Sequence, residues 1–445
     1  MAPWAEHAIW WQVYPLGFTG AEPAALPGAA TGSAGVRHRL PALGNWLDYM
    51  IELGCNGLLL GPIFAAETHG YDTIDHFRID PRLGDDEDFD RLVAQAAERG
   101  VRIVLDGVFN HVGRQFPPLV AAQAALAADG QAAAGTPAAR WFKPDAATGD
   151  FEVFEGHSHL VELNHDEPDV IAYVTEVMRY WLGRGASGWR LDAAYAVPAP
   201  FWRAVLAGVR QDFPEAWFLG EMIHGDYAGY AASAGLDSVT QYETWKAIWS
   251  SLENRNFYEL DHALARHNAF CDAGLLPQVF VGNHDVTRLA SAISEPALHG
   301  HALAILFTMP GIPSVYYGDE QAFRGLKEHR AGGDDEIRPA FPASPAGLAP
   351  YGWPTYRLHQ RLIGFRRRHP WLAGARTATA HLSGTAMAIR VHSGPQQVLV
   401  LLNSGDEPAK FPVDPGDLSV AEVPDPGDPP PDPMLVPARS WTILA

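Results

Sequence analysis

Gly188-Trp189-Arg190-Leu191-Asp192-Ala193-Ala194 is the stretch on which the fold turns. A helix-like run, Val170 to Leu182, precedes it and stops at Gly183 and Gly185. After Pro198 a second helical pattern runs from Phe201 to Val209. Trp189–Asp192 therefore reads as a short buried strand between two helices, with Asp192 near its C-terminal end. In a parallel α/β sheet that end is where ligands sit. Arg190 and Asp192 share one side of the strand, because strand side chains alternate. A guanidinium there favours the ionised carboxylate. Taken alone, the pair is equally well a structural ion pair at a strand end.

The same grammar repeats along the chain. Ile9 to Pro15 is a β-rich apolar run closed by proline, and a Gly/Ala/Pro-rich loop follows to Gly35. Leu40–Leu53 has helical spacing, Gly57–Leu60 is a buried strand, Glu87–Arg99 is helical and stops at Gly100, and Val101–Asp106 is a strand. No hairpin signal separates these units, which predicts a parallel sheet with crossover helices. Residues 112–165 interrupt the cycle with an Ala-rich piece (Leu119–Ala134) and a short β-like run (Phe151–Phe154). The cycle resumes with helix 170–182, strand 189–192, helix 201–210 and strands at 217–220 and 238–240. It continues with helix 258–269, strand 278–281, helix 299–308, strand 314–317 and helix 355–368. Eight such units predict a closed (β/α)8 barrel, an α/β fold, rather than a doubly wound open sheet. Beyond Pro370, alternating runs at 377–382, 387–392, 397–402 and 441–444 predict a small antiparallel β-domain, with a Pro/Asp-rich surface loop at 424–433. The expected division is barrel 1–111, insertion 112–165, barrel 166–372 and C-terminal β-domain 373–445.

Composition narrows the function. The net charge of -20 argues against nucleic acid and anionic membranes as partners. No apolar run is long enough to span a bilayer, and the N-terminus lacks a basic region followed by an apolar segment, so neither membrane span nor signal peptide is expected. Two cysteines, Cys55 and Cys271, make no disulfide framework and suit a reducing cytoplasm. Fourteen Trp and fourteen Tyr suit sugar stacking, and equally the filling of a barrel core.

Four polar clusters fall at predicted strand ends: Asp106 to His111, Arg190 with Asp192, Gly220-Glu221-Met222, and Gly282-Asn283-His284-Asp285. Four together at one face are hard to explain as packing, because buried unpaired carboxylates cost several kcal/mol. In this order they resemble the four conserved regions of the α-amylase family of glycoside hydrolases. Gly70–Phe77 and Ile79–Gly84 resemble its segment after strand 2, and Tyr316–Glu320 its strand-8 ending. The resemblance covers the whole barrel. It implies a retaining glycosidase with Asp192 as nucleophile, Glu221 as acid/base and Asp285 as transition-state stabiliser. His111 and His284 would hold sugar hydroxyls, Arg190 would orient Asp192, and Tyr71 would stack under the sugar. Asp72 and Arg288 are expected to support the same site, and Asp106 and Asn110 to be structural. The insertion would be the family's domain B.

The pattern also departs. Where many α-amylases carry Lys-His after the nucleophile, Tyr195-Ala196 stands, which weakens a starch-degrading reading. Pro62–Phe64 through Tyr71–Thr73 resembles cyclomaltodextrinases, neopullulanases and maltogenic amylases, yet the N-terminal β-domain usual in them is not expected, since strand 1 comes at once. The implied activity is hydrolysis of α-1,4 bonds in malto-oligosaccharides or cyclodextrins. The alternatives are an α-glucosidase, a transglucosidase or a trehalose-type isomerase using the same carboxylates, and, less favoured, a non-catalytic sugar-binding barrel. No cofactor is required. The resemblance allows a structural calcium at Asn110, with Glu162 as a further oxygen, but hard-oxygen ligands there are few and no metal residue is assigned. The expected partner is an α-glucan oligosaccharide, with oligomeric state left open.

Overall fold

The computed structural model describes residues 2–445 apart from 34, 130–134, 331 and 426–430. Eight parallel strands form its centre: β1 (Trp10–Val13), β2 (Gly57–Leu60), β3 (Arg102–Gly107), β4 (Gly188–Leu191), β5 (Trp217–Gly220), β6 (Ser238–Val239), β7 (Gln278–Phe280) and β8 (Ile312–Tyr316). They hydrogen-bond in the order β6-β5-β4-β3-β2-β1-β8-β7. A parallel bridge between Thr240 and Gln278 joins the two ends, and the Gln241 amide donates to the Gln278 carbonyl at 2.9 Å. The sheet is thereby a barrel, with no exposed edge between β6 and β7.

Alternation along the strands sorts the side chains. Trp10, Leu59, Val104, Trp217, Leu219 and Ile312 form one apolar cluster at the barrel's N-terminal half, with the Trp10 and Trp217 rings stacked at 5.2 Å. Their outward neighbours Trp11, Leu58, Ile103, Trp189 and Phe218 belong to the larger core packed on the helices. One step further along the inward faces the residues turn polar. Asp106 lies beside Arg190 in register, and Gln12 beside Tyr316. The lower barrel is thus a packed plug and the upper barrel a polar floor.

The crossover helices Asp86–Glu98, Pro168–Gly183, Ala199–Arg210, Tyr258–Asp272, His299–Thr308 and Trp353–Arg368 fall within a few residues of the expected ones. Two helices, Tyr227–Ala234 and Tyr242–Glu253, were not expected from the sequence. The first is small-residue-rich with little amphipathic contrast, and the second begins only two residues after the two-residue strand β6. The absence of hairpins is also corrected: Phe64–Ala66 pairs antiparallel with Thr73–Ile79 in the loop after β2. This ribbon is too short and irregular to show alternation, and it turns through Gly70 at φ 92°.

The excursion after β3 is pinched at its base by a two-residue ribbon, His111–Val112 against Val161–Glu162. It contains the helix Pro117–Asp129; the end of the Ala-rich piece lies outside the described residues. The β-like run Phe151–Phe154 makes only isolated bridges, from Phe151 to Pro144 and from Val153 to Val161. The C-terminal sheet runs 376–382, 386–393, 396–403, 440–444, 420–422, all antiparallel. It packs on His299–Thr308, whose residues 300–308 are all buried, which explains a helix apolar on every face. Part of the Pro/Asp-rich loop lies outside the described residues. Cys55 and Cys271 are buried free thiols, and no helix among the described residues is long and apolar enough to cross a membrane.

Candidate active site

Arg190 rises from the middle of β4 into the polar floor, and three carboxylates converge on it. Its Nη1 donates to both oxygens of Asp106 at 2.9 Å and to Asp192 Oδ1 at 2.9 Å. Its Nη2 lies 2.6 Å from Glu221 Oε1. β3, β4 and β5 are neighbours in the barrel, so one guanidinium reaches the ends of all three. Glu221 is fixed at its other oxygen by the Ala193 amide at 2.9 Å. That amide is aimed by a left-handed Ala193, φ 44°, a conformation alanine adopts only under constraint.

Asp285 stands across the cavity with its own partners. His284 Nε2 is 2.9 Å from Asp285 Oδ2, and Arg338 Nη2 donates to Oδ1 at 2.9 Å. Gln12 Nε2 lies 3.1 Å from His284 Nδ1, so Nδ1 accepts and Nε2 carries the proton toward Asp285. Tyr71 lies parallel to the His284 ring at 5.6 Å, its hydroxyl meeting His284 Nε2 and donating to Asp106 Oδ2 at 3.1 Å. Arg338 stacks on Tyr14, 4.6 Å from the ring centre.

His111 is held by two partners. Its Nδ1 faces the Asn110 amide at 3.1 Å, and its Nε2 donates to the Tyr71 carbonyl at 3.0 Å. Burial pushes its pKa down to about 3, so it is neutral and its 4.0 Å approach to Asp192 Oδ2 is not an ion pair. Phe154 from the excursion stacks on it at 4.8 Å. Tyr195 donates to Glu155 Oε1 at 3.0 Å, tying the excursion to the loop after β4.

The charge balance divides these carboxylates. Burial raises Asp192, Glu221 and Asp106 above the usual carboxylate range, with Arg190 opposing in each case. One guanidinium cannot neutralise three buried carboxylates, so this set retains a proton. Burial would raise Asp285 too, but His284 and Arg338 outweigh it and hold that carboxyl well below the usual range. The site therefore pairs an ionised carboxylate with a proton-holding cluster across one cavity.

That cavity, of about 330 Å³, is lined by Tyr71, His111, Asp192, Glu221, Asp285 and Arg338 among others. His69, Glu155, His157, Leu160, Asp334 and Arg338 also line a neighbouring cavity of about 1290 Å³. The two cavities adjoin across these shared walls.

Two expected residues sit elsewhere. Asp72 is buried in the turn beneath Tyr71, where it accepts from the Thr68 amide at 3.0 Å and from its hydroxyl. Arg288 is fully buried behind the site. It donates to Asp319 Oδ1 at 2.8 Å and to the carbonyls of Tyr317 and Ile337 at 2.9 and 2.8 Å. It cannot meet a substrate; it braces the loop leaving β8. Sequence reasoning missed Arg338, Tyr14 and Tyr242. Tyr14 ends a barrel strand, a readable signal. Tyr242, whose hydroxyl lies 3.4 Å from Glu221 Oε1, was hidden with its unread helix. Arg338 sits in a loop without a motif. Asn110 donates through its amide nitrogen to His111, and the grouping of three acid or histidine donors among the described residues, His38, Asp85 and Asp88, lies elsewhere.

Residues 12–381 match the family model described as alpha amylase, catalytic domain. A cyclomaltodextrinase from Geobacillus thermopakistaniensis is 28% identical over 92% of this chain and 71% of its own length. Neopullulanase 2 from Thermoactinomyces vulgaris is 30% identical over 73% of this chain, but only 58% of its own length is matched. Among solved structures, the cyclic α-maltosyl-(1→6)-maltose hydrolase from Arthrobacter globiformis in complex with maltose superimposes with a TM-score of 0.80. It is 25% identical over 99% of both chains.

Proposed function

This chain belongs to the alpha-amylase family, and from that premise we propose that it hydrolyses α-1,4-glucosidic bonds in malto-oligosaccharides or cyclodextrins with retention of configuration. The observation that carries the proposal is that Asp192 and Glu221 hold opposite ends of one guanidinium at the wall of the cavity. That span suits the short carboxylate separation, about 5 Å, of a double displacement. Asp192 attacks the anomeric carbon as the bond to the leaving oxygen breaks, and Glu221 gives that oxygen its proton. Burial, with the charge of Asp285 adding to it, keeps Glu221 protonated for this step. The glycosyl ester on Asp192 is then hydrolysed by a water that returns a proton to Glu221. Asp285, ionised, faces the positive charge that develops on the sugar. Tyr71 and His111 shape the floor under that sugar, and Arg190 keeps both reacting carboxylates in place. The adjoining cavity of about 1290 Å³ gives further sugars room, which favours an oligosaccharide over a single glucose unit.

The end-to-end likeness to the Arthrobacter hydrolase supports a second reading, in which the cyclic substrate carries α-1,6 links. Ring opening separates the possibilities. β-Cyclodextrin and cyclic maltosyl-maltose are each incubated with the enzyme, and new reducing ends are counted against an Asp192→Asn blank. Opening of β-cyclodextrin is the expected result. Opening of the mixed-linkage ring alone moves the specificity to the second reading, and release of glucose from maltotriose with neither ring opened replaces both by an exo-acting α-glucosidase.

A further inference from the structure

Glu221 is held at Oε1 by Arg190 Nη2, 2.6 Å away, and at Oε2 by the Ala193 amide at 2.9 Å. A further donor is the Tyr242 hydroxyl, 3.4 Å from Oε1. Tyr242 begins the helix Tyr242–Glu253 just after β6, and it is not among the residues that line the cavity with Asp192, Glu221 and Asp285. It reaches Glu221 from outside that cavity. Its ring is held edge-on by Phe280 at 5.0 Å and by Trp245 at 5.8 Å. Its hydroxyl oxygen accepts from Asn283 Nδ2 at 2.8 Å, and Asn283 Oδ1 accepts from the Asp285 amide at 2.9 Å. A backbone N–H can only donate, which fixes the end of the Asn283 side chain that is oxygen. Asn283 therefore donates to Tyr242, and the tyrosine's own proton is left for Glu221. One chain of donors runs from the backbone of Asp285 to the carboxylate on the other side of the cavity.

We propose that Tyr242 is a positioning residue for Glu221: turned by Asn283, it gives its hydrogen bond to the carboxylate that forms as the acid/base releases its proton, and so helps set the pH above which cleavage fails. The inference rests on the hydrolase reading and adds a residue that the mechanism above leaves out. A length of 3.4 Å is long for a hydroxyl–oxygen bond, whose range is about 2.5–3.0 Å. Such contacts in unliganded sites tighten as the reaction proceeds. A protonated Glu221 gains little from this donor, and an ionised one gains more, because a hydrogen bond to a charge is roughly twice as strong. The groups around Glu221 leave that gain unclaimed. Burial favours its neutral form, Arg190 opposes, and Asp285 adds to burial. Asp192 and Tyr195 face it from the chain after β4, and His284 from the loop after β7. Arg190 is shared with Asp106 and Asp192, and His284 serves Asp285. Among the described residues the Tyr242 proton has Glu221 as its acceptor. Being neutral, this donor eases release of the proton without adding a charge that would hold Glu221 ionised beforehand.

Tyr242→Phe removes one oxygen and keeps the ring. The alkaline limb of kcat/KM for maltotriose is expected to move up by about half a pH unit to one unit, because Glu221 then holds its proton more tightly. On the acid side of that limb kcat/KM should fall about fivefold, since a weaker acid protonates the leaving oxygen less well. α-Maltosyl fluoride releases fluoride, which needs little help from an acid, and its kcat/KM should stay within about twofold. A side chain that only packs would leave the limb in place and lower both substrates equally. An unmoved limb, or equal losses on both, overturns the proposal. If Tyr242→Phe does not fold, 3-fluorotyrosine in place of Tyr242 decides. Its hydroxyl is a stronger donor of nearly the same shape, so the limb should move down, and a fixed limb overturns the proposal. Unaltered protein inert toward maltotriose and α-maltosyl fluoride overturns the hydrolase reading and this proposal with it, while an active enzyme whose limb stays fixed overturns the positioning role alone.

Discussion

Two buried arginines, each facing carboxylates at the upper end of the barrel, have opposite characters. Arg288 is enclosed: one carboxylate (Asp319), two backbone carbonyls and the rings of Tyr316, Tyr317 and Phe323 surround it. Its charge is matched one to one, and nothing of it reaches solvent. Arg190 is outnumbered by Asp106, Asp192 and Glu221, and two of these open on a cavity. Matching charge is how a fold makes a buried ion pair tolerable. Leaving charge unmatched beside an opening is costly unless the excess is used, here to hold a proton until a substrate takes it. Both arginines were expected at the site from sequence, and only the count of partners separates them.

The largest effect that can break this contrast is on turnover. Asp192→Asn removes one carboxylate from the overloaded cluster. It is expected to lower kcat on maltotriose by about 10⁴-fold or more, as loss of a nucleophile does. The melting temperature should hold or rise, because the variant relieves like-charge repulsion. Near-normal turnover would remove Asp192 from the mechanism; a collapsed fold would make the Arg190 cluster a structural element like its counterpart.

Arg288→Met is the mirror experiment. It strands Asp319, whose Oδ2 already lacks a hydrogen-bond partner, and truncating one side of such a pair costs about 3–5 kcal/mol. Urea unfolding should show that loss, while kcat of the protein that remains folded stays within a few-fold of the unaltered enzyme. A variant with full stability and no activity would reverse the assignment and return Arg288 to the site.

The contrast also shows what was legible in the sequence. The eight strands could be read because each is a short apolar run bounded by helix and loop signals. Asp106, Arg190, Asp192, Glu221, His284 and Asp285 could be placed at one face because strand ends of a parallel barrel share it. Arg288 sits beside that face in sequence, three residues after Asp285, but the chain has left the strand and folds back beneath the loop. Strand logic does not extend into such a turn. Arg338 and the helix Tyr242–Glu253 were unreadable for a related reason: their positions depend on loop paths set by tertiary contacts, such as the stacking of Arg338 on Tyr14. Gly282 is an intermediate case. It reads from sequence only as part of a cluster, yet a Cβ there would lie 2.1 Å from Asp319 Oδ2, so the glycine lets the chain leaving β7 toward His284 and Asp285 pass against the closed pair.

The smallest expected effect concerns the closed cluster's neighbour, Glu320. It accepts from the Tyr49 hydroxyl and the Gly318 amide, both at 2.9 Å, and has no arginine of its own. Burial pushes its pKa from an ordinary 4.5 up to about 7. The folded state thus binds this proton more tightly than the unfolded chain, and the associated stability is complete below about pH 4.5 and lost as pH rises toward 7. Over that window the loss is on the order of 2–3 kcal/mol. Glu320→Gln cannot titrate, so its stability relative to the unaltered protein should climb by that amount between pH 5 and pH 8. Urea midpoints at the two pH values measure the difference. The pH profile of kcat/KM should not move, because Glu320 faces away from the cleft and the proton that matters for turnover is held by the Arg190 cluster. A shifted activity profile with an unchanged stability difference would mean that the two clusters titrate as one, and the division drawn between them would fail.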